Sequence, residues 1–239
     1  MAQEDIVNLA LRRSLFFPAG EIYSDALAGF WDFGPEGETL RRKIVNFWRK
    51  ELVEKEGFVE IHGTQILPKK VFEASGHLQG FNDPVVNCTK CGSANRADKL
   101  IEEATKEQIP ESSPVEFFDK KLSELKIACP KCKGTLGKVK LFNMMMKLDI
   151  GATGTQTAYL RPETCQSIFL DFDRIYKTAR KTLPLGIAQA GASFRNEIAP
   201  RNTLLREREL GQMEIEIFFN PAKINQLQKN NGKNWKTIN

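Results

Sequence analysis

Two Cys-x-x-Cys pairs, Cys88-Thr89-Lys90-Cys91 and Cys129-Pro130-Lys131-Cys132, impose the strongest condition on this fold. Segments separated by residues 92–128 must return to one point in space. Two such knuckles make a tetrahedral four-thiolate site, and a closed sulfur shell suits a structural rather than a catalytic zinc ion. Lys90, Lys131 and Lys133 stand beside the thiolates and offset their charge. The gap is longer than in the most compact ribbons, so an insertion must loop out between the knuckles, and IPESSP (109–114) reads as that loop. Two unrelated thiol pairs remain the alternative. Five cysteines, four of them in these pairs, fit a reducing compartment with metal binding better than a disulfide framework. The fifth, Cys165, falls on an apolar stripe and reads as inert core.

The second constraint runs from Ser193 to Phe219. Ser193, Arg195 and Glu197 alternate, which predicts a strand carrying all three on one face. Met213, Ile215, Ile217 and Phe219 alternate with Gln212, Glu214 and Glu216, giving a second strand with one apolar and one charged face. Pro200, Arg201 and Asn202 supply turn chemistry. The pair is expected to form an antiparallel hairpin, with Arg195, Glu197, Glu214 and Glu216 on one side if the register permits and Arg206 and Arg208 in the loop. A solvated sheet face with weak cross-strand ion pairs accounts for the pattern. So does a site for a ligand both anionic and cationic, guanidinium forks taking phosphates and carboxylates taking an ammonium.

Phe194-Arg195-Asn196-Glu197, with Arg206, Leu210 and Glu214 at four-residue steps, resembles the second signature motif of class II aminoacyl-tRNA synthetases. FRNEI…RERELGQMEIEIFF, with YLRPET (159–164) upstream, is similar to glycyl-tRNA synthetase of the dimeric archaeal, eukaryotic and bacterial type. So are GFWDFGPEG (29–37), EASGHLQGFNDP (73–84) and RADKLIE (96–102), in the same order. The likeness covers roughly residues 5–221. It implies an α+β fold: a class II synthetase-like antiparallel sheet flanked by helices, incomplete, with an inserted zinc module. The segments expected are 1–84, the first part of the catalytic domain with a dimer-interface motif; 85–140, the zinc module; 141–221, the catalytic core with the ATP-binding hairpin; and 222–239, a basic Asn/Lys-rich tail.

The resemblance also implies an activity. Glycine and ATP would give glycyl-adenylate by in-line attack of the glycine carboxylate on the α-phosphorus, and the glycine would pass to tRNA-Gly. Arg195 is the expected catalytic residue, and Arg195, Asn196, Glu197, Leu205, Arg206, Glu207, Arg208, Glu209 and Leu210 are expected to bind ATP. Glycine would be held by Arg96, Glu163, Leu210, Gly211, Gln212, Met213 and Glu214, with Glu163 and Glu214 on its ammonium. Cys88, Cys91, Cys129 and Cys132 would hold Zn2+, and Mg2+ would accompany ATP. A homodimer or a complementing C-terminal chain is the expected partner, in the cytoplasm. Leu210 departs from the usual phenylalanine, keeping apolar contact without an aromatic face. The third motif and the anticodon-binding domain, due after Pro221, are not recognised in AKINQLQKNNGKNWKTIN, which reads as a disordered or frame-altered tail outside the family pattern. The chain is therefore expected to be an N-terminal fragment or split half, or alternatively a catalytically inactive synthetase-like protein that binds tRNA or a partner.

Remaining patterns concern packing. Asp5–Phe17 has helical spacing, with Ile6, Leu9, Ala10 and Leu15 as its candidate buried face. Pro35–Glu56 reads as a long helix with an apolar stripe of Leu40, Ile44, Phe47, Trp48 and Leu52, capped by Gly57. The resemblance places a two-fold dimer interface here. A helix from Thr164 to Lys181 is expected to bury Cys165, Ile168, Phe169, Phe172, Ile175 and Ala179. His62 and His77 read as structural or exposed. The net charge of +5 leans mildly towards anionic partners, but Lys223, Lys229, Lys233 and Lys236 near the end carry most of it. No apolar run approaches the ~18 residues of a membrane span.

Overall fold

The computed structural model describes residues 3–110, 112–198, 200 and 203–223. In chain order its elements are α1 (Gln3–Arg12), β1 (Phe16–Pro18), β2 (Trp31–Phe33), α2 (Pro35–Trp48), β3 (Val59–Glu60), β4 (Ile66–Pro68), α3 (Lys69–Ala74), α4 (His77–Gly80), β5 (Asn82–Cys88), β6 (Ala94–Arg96), α5 (Ala97–Thr105), α6 (Val115–Glu124), β7 (Leu136–Asn143), β8 (Lys147–Ile150), β9 (Gln156–Leu160), α7 (Cys165–Thr178), β10 (Leu185–Phe194) and β11 (Glu209–Phe218). Pro35 opens α2, where its missing N–H costs nothing, and a wider-wound turn at Arg49–Glu54 extends the helix. Gly57 follows with φ +69°, a conformation other residues adopt only at a cost. The expected turn residues Arg201 and Asn202 and the tail from Ile224 lie outside the described residues.

The chain divides into two compact units. The first comprises the segments up to Gly34, Ile66–Pro162 and Phe194–Leu210. Its sheets are β1-β2, β4-β9-β8 and β6-β5-β7, with antiparallel pairing throughout them among the described residues. Two helices that the sequence reading missed, α5 and α6, fill the gap between the knuckles. Leu100 and Ile101 from α5 and Phe118 and Leu122 from α6 pack on Val86 and Val139 of the β5-β7 ladder, a core buried from water. The 109–114 stretch falls between these helices, as expected of a loop. A smaller core joins Leu67, Phe72 and Met145. His77 is structural: its Nδ1 lies 2.8 Å from Ser75 Oγ, and its ring meets Phe72 and Phe81 edge-on.

The second unit comprises Pro35–Gln65, Glu163–Ser193 and the chain from Gly211. Its sheet has the order β11-β10-β3, and the β10-β3 pair is parallel, Ile187 opposite Val59, where an antiparallel sheet was expected. A parallel pair needs a long crossover, which the chain between β3 and β10 supplies. Ile168 of α7 packs on Leu185 and Ile187 of β10. Gly186 is required here, since a Cβ would meet the Phe58 ring.

Three apolar stripes differ from expectation. In α1 Ala10 is buried, while Ile6 and Leu9 are exposed. In α2 and its extension Leu40, Ile44, Phe47 and Leu52 are all exposed, Phe47 by 69%. The spacing is helical as read, but no described residue covers that face. In α7 Ile168 is buried, whereas Phe169 and Ala179 are exposed and Cys165 is half-buried. Gln166 and Ser167 are buried in their place, because the first turn of α7 faces a polar network rather than a greasy core.

Candidate functional site

In the first unit, the segment around Arg195 is not a strand. β10 ends at Phe194, so Arg195 and Glu197 do not share a strand face with Ser193. The backbone donors that would continue a ladder are taken elsewhere. Arg195 N–H donates to Arg208 O at 3.0 Å, Asn196 N–H to Met144 O at 2.8 Å, and Glu197 N–H back to Arg195 O at 2.7 Å. The Arg195 guanidinium donates through Nε to Pro162 O (3.3 Å) and its Cζ lies 5.6 Å from the centre of the Phe81 ring, within cation–π range.

Arg208 braces this segment. Its guanidinium donates through Nε (3.1 Å) and Nη2 (2.9 Å) to the Glu197 carbonyl and through Nη1 (2.9 Å) to Ala28 O. Its own N–H donates to Gly29 O at 2.7 Å. Gly29 has φ +85°, and a Cβ there would lie 2.7 Å from Pro200 Cβ, so glycine alone permits the approach. Arg206 lies 3.8 Å from the Glu197 carboxylate, a loose surface pairing. Leu205 and Glu209 are exposed and Leu210 is half-buried. Glu207 is buried, and burial first, then the charge of Glu209, pushes its carboxyl up to about 7.

Arg96 ends β6 between two acids that are fully buried. Its Nε and Nη2 fork onto Asp98 (3.1 and 2.6 Å), and Nη1 lies 3.2 Å from Asp83. Buried carboxylates are tolerable only when paired in this way.

The second unit holds a chain of buried polar contacts. Gly63 N–H donates to Gln189 Oε1 (3.0 Å), Gln189 Nε2 donates to Thr164 O (3.2 Å), and the Thr164 hydroxyl donates to Glu214 Oε2 (2.6 Å). Gln189 and Thr164 are fully buried. Gly63 cannot carry a side chain, since a Cβ would collide with Ser167. Beside this chain, one ligand atom each of Cys165, Glu214 and Glu216 lies within 4.8 Å of the others. Glu163 Oε2 accepts from the Cys165 thiol at 3.5 Å and from Gln166 Nε2 at 3.4 Å.

Three carboxylates therefore crowd one thiol. Burial, then Glu214 and Glu163, push the Cys165 thiol up to about 12. Burial, then Glu214 and Glu163, also raise Glu216. The expectation of Cys165 as inert apolar core is corrected: it faces acids, although its thiolate is suppressed all the same. Phe218, two residues beyond Glu216, stacks on Phe172 of α7 at 4.1 Å, so the supposed solvated face of β11 is the one turned to this helix. Ile217 and Phe219, on the other face, are exposed. Of the remaining expected residues, Gly211 is exposed, and Gln212 and Met213 are half-buried, with Gln212 Oε1 buried and lacking a partner among the described residues. Thr164 and Gln189 were not expected from the sequence, and Glu216, expected on the charged face, was not among the residues assigned to glycine. Thr164 adjoins Glu163 and Glu216 alternates with Glu214, but nothing local marks Gln189.

The cysteines converge as their spacing required. All four Sγ atoms lie within 4.8 Å of one another, with Cys88–Cys132 at 3.5 Å and Cys91–Cys129 at 3.8 Å. A tetrahedral ion with metal–sulfur bonds of ~2.3 Å needs sulfur–sulfur edges of ~3.8 Å, so the cluster has the dimensions for one. Backbone N–H groups of Cys91, then Lys90, turn towards Cys88 Sγ and draw its thiol down to about 6. Gly134 closes the cradle: a Cβ would lie 3.2 Å from both Cys132 Sγ and Cys88 Sγ.

Comparison with known proteins gives concordant likenesses. Residues 149–238 match the family described as tRNA synthetase class II core domain (G, H, P, S and T). A glycine–tRNA ligase from Aeropyrum pernix is 44% identical over 220 residues, covering 91% of this chain and 37% of that protein. One from Thermococcus gammatolerans is 45% identical over 233 residues, covering 98% of this chain and 40% of that protein. The chain thus spans about two fifths of the length of the curated relatives it matches. The core-domain match and the Thermococcus alignment run past Pro221, whereas the Aeropyrum alignment is limited to 220 residues of the 239. Among solved structures, a threonyl-tRNA synthetase RNA-binding domain from Cryptosporidium parvum (TM-score 0.56, 19% identity, 92% of this chain and 38% of that one) shares the fold. So does a Giardia lamblia prolyl-tRNA synthetase in complex with prolyl-adenylate (TM-score 0.56, 18% identity, 95% and 33%).

Proposed function

We propose, from the premise that this chain belongs with the glycine–tRNA ligases among the class II tRNA synthetases over the part of their length it spans, that it binds and activates glycine. The observation that carries this reading is the carboxylate cluster of the second unit. Glu163 and Glu214 press on the Cys165 thiol and on the Glu216 carboxyl and raise both, and an ammonium placed among these carboxylates relieves that repulsion. Glycine offers only an ammonium and a carboxylate, so its site must rely on charge and on excluding larger side chains. Thr164, held by Gln189, fixes one Glu214 oxygen and leaves the carboxylate's remaining lone pairs for the ligand.

In this reading the arginines of 195–208 serve ATP. Arg195 stabilises charge on the α-phosphate as the glycine carboxylate attacks, Asn196 to Glu197 and Leu205 to Leu210 line the nucleotide, and Arg208 holds the segment in shape. ATP brings Mg2+ with it as substrate. No protein nucleophile is required: positioning and charge supply the rate. Glycyl transfer to tRNA-Gly completes the reaction. The exposed stripe Leu40, Ile44, Phe47 is the surface we assign to a second copy of the chain, since exposed apolar rows of that kind mark association.

Cys88, Cys91, Cys129 and Cys132 would hold Zn2+. The ion supplies cross-linking, and the all-sulfur donor set leaves no open position for catalysis.

Glycine-dependent ATP–pyrophosphate exchange tests the proposal. Exchange is expected with the parent chain, lost in Arg195→Ala, and restored only at about 10- to 150-fold higher glycine in Glu214→Gln, the cost of one charged hydrogen bond. Exchange that proceeds unchanged in both variants would overturn the assignment.

A further inference from the structure

The charge of the cysteine module is divided along the sequence. From Ala97 to Asp119 there are seven acids and two lysines; from Lys120 to Lys140 there are seven lysines and one acid, Glu124. The basic half lines most of an open cavity of about 550 Å³, in the range of small-ligand sites. Leu122, Ile127 and Leu136 give it an apolar floor, and Lys126, Lys133 and Lys138 line it. Asp119 lines it too, but that carboxylate is engaged: Oδ1 accepts the Val139 N–H at 2.9 Å and Oδ2 lies 3.5 Å from Lys138 Nζ. Lys126 and Lys133 are exposed and form no ion pair among the described residues.

Both lysines have left-handed backbones, as do Lys106 (φ +62°) and Arg180 (φ +49°), which do not line the cavity. Lys126 has φ +49° and Lys133 φ +57°, the left-handed region where a side chain costs energy. The two knuckles provide an internal control. The residue after Cys91 is Gly92 (φ +69°), and the residue after Cys132 is Lys133 in the same conformation. The strain-free residue is used in one knuckle, and a long cation is kept in its twin at the cavity.

We propose that this cavity is a nucleotide-binding site, the base lying on the apolar floor and the phosphate on Lys126 and Lys133. The nucleotide is either free or a unit of a single-stranded RNA; both present the same chemistry. The site belongs to the cysteine module and does not depend on the glycine-activation reading.

Photocrosslinking of the intact protein tests this, with thiouridine monophosphate and, separately, a short single-stranded RNA carrying one thiouridine. Label is expected in the 120–140 peptide. Labelling by the mononucleotide assigns the site to free nucleotides, and labelling by the RNA alone assigns it to a strand; either supports the proposal. The double variant Lys126→Gly/Lys133→Gly relieves backbone strain and should keep its circular dichroism while losing about tenfold or more in labelling. The absence of label in this peptide from both probes overturns the proposal. So does equal labelling of the double variant, which would leave the lysines as mere counter-charges to the thiolates.

Discussion

The cysteine module and the second unit solve the same problem in opposite ways. The module closes on itself: seven core residues are buried between α5, α6 and the β5-β7 ladder, and four sulfurs meet at one point. The second unit's core cluster has three buried residues, its α2 stripe is exposed, and it gathers three carboxylates around one thiol. The first has the makings of a finished structural element. The second is built to be completed by what it binds.

The sharpest test of that contrast is metal removal. Structural zinc contributes ~10–16 kcal/mol of apparent binding energy to such sites, so chelation should melt the module and spare the second unit. Hydrogen exchange read by segment decides: protection lost equally in β10 and β11 would erase the distinction. Overpacking the small core comes next. Gly186→Ala forces a Cβ into the Phe58 ring and should cost about 1–3 kcal/mol, measured by urea unfolding. An undiminished midpoint would show that this core is looser than its contacts indicate.

Charge on the open stripe should act on association instead. Phe47→Glu is expected to leave the fold intact, since Phe47 is 69% exposed, and to shift sedimentation from dimer to monomer. The smallest effect concerns Glu207. Its folded carboxyl is raised to about 7, so its contribution is fully present below the unfolded value of about 4.5 and is lost as pH rises through the folded one. Glu207→Gln should flatten that decline in Tm between about pH 5 and about pH 8, and a parallel decline in both proteins would place the titration elsewhere.

What the sequence made legible follows the same division. The cysteine cluster was readable because metal geometry ties spacing directly to space. The α2 stripe was readable as a helix face, but periodicity says which side chains point together and not what covers them. Arg195 and Glu197 misled because alternation continues past the point where Asn196 turns its N–H to Met144, a partner far back in the chain. Gln189 and Thr164 were invisible, since a buried amide is recognisable only by the groups it joins.

The ladder at the base of the cysteine module has one more consequence. Asn82 and Asn143 stand opposite each other across β5 and β7, joined by an Asn143 Nδ2 to Asn82 Oδ1 bond of 3.1 Å. Everything from 83 to 142 therefore leaves and re-enters the chain through a doorway one strand-spacing wide, about 5 Å. A short reverse turn spans that width. The appendage can be lengthened, exchanged for a foreign hairpin or excised without changing the distance its flanks must bridge.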